Sequence, residues 1–529
     1  MTTQASTIFH TVIFGSGLAG LSCARKLALA GKKVCVIEKS SQLGGHLPSF
    51  QRKGVHFEVG IHYIASTNSE SLFGKALREL NIAPQYNTLD NPFERLHSAQ
   101  HKNNFFIQSQ FSSYISDLVV RFPQHKKALH QFERDANSLW DLANQLEFPL
   151  TNKSLAKAVL QSPNMLRFIF LACLPLQFYL KTVLRLQHNL TEIISIHHTL
   201  IGVNPQKLSA IIYLLVHRYY FEAPCFPEGG GHWFTNAFIH ENIEYLTKEN
   251  AKFETCSSVP GARFQIKTSR GDIFARNVVW TPDPKLLPLS SPVSMGFWKN
   301  LQLKNVKYPH ALAIGYFATH HPLQDLGMSN ANHWLMGNMS SSQCYSSQSL
   351  NELAQNAPIY LSTGSLRDKS AIEPDNPMQA KGVFQAMFLV PTNSDCWQVS
   401  NSQTYKIPKS RGGSLESYEE TKSEVLEILK NRIVEAFPLV KDSLCCAFLG
   451  SPLTHERYLF SRARNGYGFA ATVADFLLWR PSYKTSTPGL YLCGAHIKPA
   501  HGIATALLNG VGLAKVLIRE RVKKSSPHD

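Results

Sequence analysis

The strongest constraint lies near the start of the chain, where a short apolar run, Thr11–Phe14, leads straight into Gly15-Ser16-Gly17-Leu18-Ala19-Gly20. A brief run of β-branched and aromatic residues reads as a buried parallel strand. Apolar positions then recur at helical spacing, at Leu18, Leu21, Ala24, Leu27 and Ala28, until Gly31 ends the helix. Val34–Ile37 reads as a second strand, closed by Glu38, which stands 18 positions after Gly20. Strand, helix, strand and terminal acid make a complete βαβ unit. Gly15 permits the tight turn, Gly17 lets the backbone approach a diphosphate, and Gly20 lets the helix pack closely. Ser16, Leu18 and Ala19 complete a loop whose free N–H groups and helix dipole favour an anion. Glu38 is placed to accept hydrogen bonds from an adenosine ribose, with Lys39 beside it. The class that follows is α/β, with a Rossmann-type dinucleotide-binding domain.

At 529 residues the chain has material for two to four domains. Lys and Arg total 53 against 37 acids, a formal charge of +16, which favours an anionic partner. No Lys/Arg block exceeds a pair and aromatics are not interleaved with basic clusters, so nucleic acid is set aside and a membrane surface retained. The ten cysteines are scattered, with no Cys-x-x-Cys and no zinc spacing, so no metal site is expected and reduced thiols are the default. Met1–Phe9 carries no secretory pattern, which points to the cytoplasm. The longest charge-free apolar stretch, Phe168–Leu180, has thirteen residues and contains Pro175, too short for the roughly 20 of a spanning helix. Two readings stay open for it. One is a patch dipping into one leaflet, helped by Lys153, Lys157, Arg167, Lys181 and Arg185; the other is a buried helix with a basic exposed side. The positive charge excess favours peripheral membrane association.

Beyond Glu38 the chain reaches Gly44-Gly45-His46 and then Gly54-Val-His-Phe-Glu58-Val-Gly60. This resembles the extended FAD fingerprint of the amine oxidase and phytoene desaturase superfamily. The resemblance implies FAD, with the twin glycines over the diphosphate and the loop of Gly60, His62 and Tyr63 beside the flavin. Near the other end stands Thr487-Pro-Gly489-Leu-Tyr-Leu-Cys-Gly494-Ala-His-Ile-Lys-Pro-Ala-His-Gly502-Ile503-Ala504. Leu490–Cys493 reads as a strand, Gly494 ends it where the backbone passes close to something, and an apolar helix starts at Gly502. In the superfamily such a helix start faces the pyrimidine edge of the flavin, and its dipole stabilises negative charge there. Phe226-Pro-Glu-Gly229-Gly-Gly231 and Ala275-Arg-Asn-Val-Val-Trp280-Thr-Pro-Asp-Pro284 resemble the segments that return the chain to the FAD domain.

The expected architecture is therefore a three-layer ββα/α FAD-binding domain from 1–75, 225–295 and 445–529, interleaved with an α+β substrate domain from 76–224 and 296–444, with membrane-facing helices near 160–190. Pro391–Gly413 reads as a loop. Ser417–Phe437 reads as an amphipathic helix with Val425, Leu426, Leu429 and Ile433 on its apolar face.

Within the superfamily the chain resembles the retinol saturase-like branch. Phe57-Glu-Val-Gly-Ile-His62-Tyr63-Ile64, His217-Arg-Tyr-Tyr-Phe-Glu-Ala-Pro-Cys-Phe-Pro-Glu-Gly-Gly230 and Gly450-Ser-Pro-Leu-Thr454 carry the likeness, with Tyr458 and Gly466-Tyr467-Gly468 after them. Thr281-Pro-Asp-Pro284 departs from a more usual Asn-Ala-Asp-Pro-like end. The resemblance implies reduction, or another transformation, of a C=C bond in a long apolar polyene of retinoid or carotenoid type. His62, Tyr63 and His217 are the candidate catalytic residues, with Tyr219, Tyr458 and Tyr467 behind them. Carotenoid desaturation or cis–trans isomerisation is the rival activity. A binding module like the Rab GDP-dissociation inhibitors is the non-enzymatic alternative, disfavoured by the intact flavin fingerprints. A single dinucleotide unit means that NAD(P)H, if it is the reductant, visits transiently. The oligomeric state is not legible.

Overall fold

The apolar run becomes strand β1, Ile8–Phe14; the helical repeat becomes α1, Leu18–Leu29; and Val34–Ile37 becomes β2. The computed structural model describes residues 8–98, 104–392, 397, 415–461 and 464–520. β1 is central in a seven-stranded sheet ordered Lys252–Thr255, Phe264–Thr268, Gly271–Trp280, β1, β2 and Ile243–Leu246, with Leu490–Leu492 added beside Gly271–Trp280. β1 runs parallel to β2 and to Gly271–Trp280, so that Phe14 lies opposite both Ile37 and Trp280. Burial on both faces explains why β2 is apolar throughout.

Ile503–Arg519, the helix expected from Gly502, lies against α1. A Cβ on Gly510 would stand 2.0 Å from Ser22 Oγ and 2.4 Å from the Ala19 carbonyl oxygen, so only glycine permits this crossing. Both helices begin at the same end of the sheet, where their N-termini line one cavity.

The second sheet also has seven strands, ordered Leu444–Gly450, Ala311–Thr319, Gly382–Val390, Ile359–Ser362, Asn332–Met336, Glu94–Ser98 and Phe105–Ile107. Helix Leu415–Ala436 covers it with Val425, Leu429 and Ile433 buried and Leu426 packed partly beside them. The expected loop 391–413 lies almost entirely outside the described residues. One boundary is corrected. Leu444–Gly450, placed from residue 445 with the cofactor domain, pairs instead with Ala311–Thr319, and Phe448 stacks on Tyr316 at 5.0 Å. The Gly450-Ser-Pro signal marks the turn out of that strand and not a change of domain.

A helical layer from the first insertion, including Lys126–Ala143, Asn152–Leu160, Met165–Ala172 and Ala210–Tyr220, packs around a single large apolar cluster. Phe168–Leu180 is divided within this layer. Phe168, Leu171, Leu176, Tyr179 and Leu180 are buried, whereas Ile169, Phe170 and Phe178 are exposed. The exposed apolar belt continues upstream to Leu160 and Leu166, which are 63% and 76% exposed. Arg167, counted among the lipid-facing cations, instead holds the buried Asp135 at 2.5 Å. Among the described residues no helix is long and apolar enough to cross a membrane.

Candidate functional site

A cavity of about 1700 Å³ runs from the Gly15–Ala19 loop, past His46, His62 and Tyr63, to a wall of Leu139, Leu155, Val159, Phe168, Ile212 and Leu215. The residues singled out in the first loop, together with Glu38, Lys39, Gly44, Gly45, Gly60, Gly494, Gly502, Ile503 and Ala504, all line it except Gly20. Gly20 stands behind the loop: a Cβ there would meet the Gly15 carbonyl oxygen at 2.2 Å, so its task is to let α1 start against that turn. Gly17 is the opposite case. Its φ is −60°, open to any residue, and a Cβ would meet nothing within 4 Å. Space is kept clear at the N-terminus of α1, where unpaired N–H groups favour an anion.

Local hydrogen bonds hold the loop in place. Glu38 Oε2 accepts from the Ser16 N–H and hydroxyl at 2.8 and 2.6 Å, and Oε1 accepts from the Ser40 N–H at 2.8 Å. The Gly44 N–H donates to Ser16 Oγ at 3.1 Å, which ties the twin-glycine turn to the same carboxylate. Glu38 therefore braces the loop as well as facing the cavity. Thr281, at the departure from the usual Asn-Ala-Asp-Pro-like end, donates its hydroxyl to the Phe14 carbonyl at 2.8 Å and so pins the crossover strand to β1. Lys39 lies with its ammonium 4.6 Å from the centre of the Phe460 ring.

Four histidines on the wall each carry a buried ring nitrogen without a partner: His46 Nε2, His62 Nδ1, His455 Nδ1 and His496 Nδ1. Burial pushes His46 and His455 down to about 4. Burial first, then the nearby Arg367, takes His62 down to about 3, and His501 falls to about 3 by burial and Arg480. All are neutral near pH 7, able to donate or accept. Buried polar atoms left unpaired are rare, and several converging on one cavity indicate a ligand that pairs them.

At the 494–502 end the fully buried Arg480 donates to the carbonyls of Phe469, Ala470, Ala495 and Ile497 and so sets the curvature of that loop. Lys498, pushed down to about 8 by burial and by Arg480, donates to the Phe476 carbonyl at 3.0 Å. The start of Ile503–Arg519 and these two cations make this end electropositive. Open space at one helix N-terminus, a braced acid, neutral histidines and a second electropositive helix start suit the parts of FAD in turn.

The candidate catalytic residues separate. His62, Tyr63, Tyr219 and Tyr467 line the cavity. Tyr458 is 63% exposed and lies outside it. His217 is fully buried and does not line the cavity; it reaches that region through His197, with the two Nδ1 atoms 2.9 Å apart. Sequence reasoning passed over His455, His496 and His501, although all stand inside or beside quoted motifs. Glu94 and His197 carried no motif at all.

Residues 13–80 match the family model described as an NAD(P)-binding Rossmann-like domain. The all-trans-retinol 13,14-reductase of Danio rerio is 21% identical over 97% of this chain and 86% of its own length. Prolycopene isomerase 1 of an Oncidium hybrid cultivar is 23% identical over 98% of this chain and 85% of its own length. Among solved structures, a putrescine oxidase double mutant superposes with a TM-score of 0.63 at 13% identity, covering 96% of this chain and 99% of the other. Cyclohexylamine oxidase from Brevibacterium oxydans gives 0.61 at 12% identity, covering 97% and 99%. Near-complete coverage by relatives of both kinds, on a cavity whose residues fit FAD, makes the chain an FAD-dependent oxidoreductase that is similar over nearly its whole length to the phytoene desaturase/carotenoid isomerase superfamily.

Proposed function

We propose that the protein saturates a carbon–carbon double bond in a long apolar polyene of retinoid or carotenoid type. The observation that carries this reading is the continuity of the cavity, which joins the dinucleotide loop to a wall of Leu, Val, Ile and Phe side chains without interruption. A polyene along that wall gains roughly 25 cal/mol for each Å² buried and leaves no polar group unpaired. The Gly15–Gly20 loop and the Gly502 helix start would hold FAD, which when bound would supply the hydride. Tyr63 and Tyr220 line the same cavity with their rings 4.7 Å apart, and burial keeps both phenols protonated. Isomerisation of the same substrate class is a second reading, supported by the equally extensive likeness to prolycopene isomerases. The product mass tells them apart. Anaerobically reduced protein is offered retinol and, separately, prolycopene; a product heavier by two hydrogens supports saturation. An unchanged mass with altered double-bond geometry supports isomerisation, and no product from either sinks both.

The reading extends to the surface, where the protein docks on an anionic membrane through the helices of 152–172. Leu160 and Ile169 belong both to the exposed apolar belt and to the cavity wall, so the belt borders the cavity mouth. Lys153, Lys157, Lys181 and Arg185 are exposed around it. Co-sedimentation with anionic liposomes, weakened by salt, is expected for the wild type. Joint Leu160→Ser, Leu166→Ser and Phe170→Ser should abolish it with flavin retained. A folded triple variant that still sediments fully overturns this docking face.

A further inference from the structure

Beside Tyr63, away from the cofactor loops, lies a string of polar side chains sealed in the largest apolar cluster. Glu94 on strand Glu94–Ser98, His197 between two short helices, and His217 on Ala210–Tyr220 are each 0% exposed. His197 Nε2 stands 2.8 Å from Glu94 Oε2, and His197 Nδ1 2.9 Å from His217 Nδ1. Glu94 Oε1 accepts from the Tyr63 hydroxyl and from Asn332 Nδ2, both at 3.3 Å. The rings of Phe111, Phe132 and Phe221 surround His217 at 5.2–6.0 Å. A carboxylate kept this far from water loses several kcal/mol of solvation, and apolar side chains of the same volume would avoid that loss. Burial, with His197 and Arg218, holds His217 well below the usual histidine range, so it is neutral. The two Nδ1 atoms at 2.9 Å must share one hydrogen, and His197 Nε2 and Glu94 Oε2 at 2.8 Å share another, so mobile hydrogens lie on both sides of His197. The string has one end at the cavity, Tyr63, and a sealed end at His217, whose Nε2 has no partner.

We propose that Tyr63 is the catalytic proton donor and that the Glu94–His197 pair, oriented by His217, is the proton store that recharges it. The inference rests on the saturation reading and names the residues that complete it. The alkene gains two C–H bonds. A reduced flavin, when bound, would supply hydride to one carbon and so be oxidised by two electrons. The neighbouring carbon takes its proton from Tyr63, whose O–H bond breaks. The phenolate left behind recovers a proton from the Glu94–His197 pair through Glu94 Oε1, which it faces, and once product has left, water in the cavity returns that proton by way of Tyr63, the end of the string that lines the cavity.

The test uses the FAD-loaded protein, reduced anaerobically, with retinol as the probe. Tyr63→Phe should lower kcat by roughly 100-fold or more, the share a general acid supplies, with KM and flavin content unchanged. Glu94→Gln and His197→Gln should lower kcat about 10-fold at unchanged KM and enlarge the solvent deuterium isotope effect, with partial recovery in Glu94→Asp. A second measurement needs no turnover: proton NMR of the oxidised protein should show a strongly deshielded imidazole N–H that survives Tyr63→Phe and vanishes in His197→Gln. A wild-type rate in Tyr63→Phe, or absence of that resonance from the wild type, overturns the relay alone. A wild type that binds flavin yet reduces neither retinol nor prolycopene overturns the saturation reading and the relay with it. Should Glu94→Gln fail to fold, the Tyr63→Phe rate and the wild-type resonance still decide.

Discussion

The two ends of the cavity are built from different parts of the chain. At the dinucleotide end the backbone makes the site: glycines set how closely segments approach, and Ser16, Glu38 and Thr281 only brace what the main chain has arranged. At the far end the side chains make it: Leu139, Leu155, Val159, Ile212 and Leu215 present hydrocarbon from helices whose backbone groups are already paired internally. The first kind of site tolerates little substitution, because a Cβ there meets backbone, as at Gly20, or fills the space kept clear at the helix start, as at Gly17. The second tolerates many, because one aliphatic surface resembles another. A common cofactor end with a variable substrate end is what this contrast produces.

Substituting one end at a time breaks the comparison most sharply. Gly17→Val has the largest expected effect. Its side chain fits the empty protein but fills the cleared space, so a folded apoprotein without flavin absorbance should be recovered, its melting temperature matching flavin-stripped wild type. Recovery of a stoichiometric flavoprotein would remove the loop as the diphosphate site. Glu38→Ala comes next. It costs a charge-assisted contact to the cofactor and three hydrogen bonds within the loop, so flavin should bind roughly 10- to 100-fold more weakly, read by equilibrium dialysis.

Glu58, whose carboxyl accepts from the Gly231 N–H, gives an intermediate effect. Burial, reinforced by Asp368 and opposed by the Gly231 N–H, pushes its carboxyl up to about 8, whereas the unfolded chain releases the proton near 4.5. The folded state thus holds the extra proton between those values. Stability is fullest below about pH 4.5, declines as pH rises towards about 8, and levels off above. Urea unfolding at acid and alkaline pH should show that decline in the wild type and a smaller one in Glu58→Gln; an unchanged decline would assign it to other groups. Leu155→Ala is the mildest. It should weaken polyene binding roughly tenfold, from about 1.5 kcal/mol of lost apolar contact, and leave flavin affinity alone.

The same contrast decides what could be read in advance. β1, α1, β2, the Gly44-Gly45 turn and the Gly502 helix were legible because steric necessity writes glycine at fixed spacings, as at Gly20 against the Gly15 carbonyl. The neutral histidines were half legible, since His496 and His501 lie inside a quoted motif while their unpaired nitrogens emerge only from packing. Of the Glu94–His197–His217 string only His217 was legible, as a candidate without its partners. The string's first pair is separated by 103 residues and is brought together by a sheet and a helical layer that no local periodicity connects. Phe168 and Leu171 misled for a related reason: an apolar run does not say which of its faces finds a partner, and these two face the core. Arg167 likewise lost its lipid-facing role to a distant acid, Asp135.

The order of strands in the first sheet bears on how the protein is made. β1 emerges early in synthesis, yet its neighbour Gly271–Trp280 follows only after the helical layer, and Leu490–Leu492 completes that neighbour's parallel edge very late. The helix that locks against α1 at Gly510 arrives later still. A nascent chain therefore carries the Gly15–Gly20 loop for most of its translation without the Gly502 helix start that lines the same cavity. Flavin loading is in consequence a late event, and apolar helices of the substrate half are exposed while they wait, which makes FAD supply and chaperone access the determinants of yield during expression.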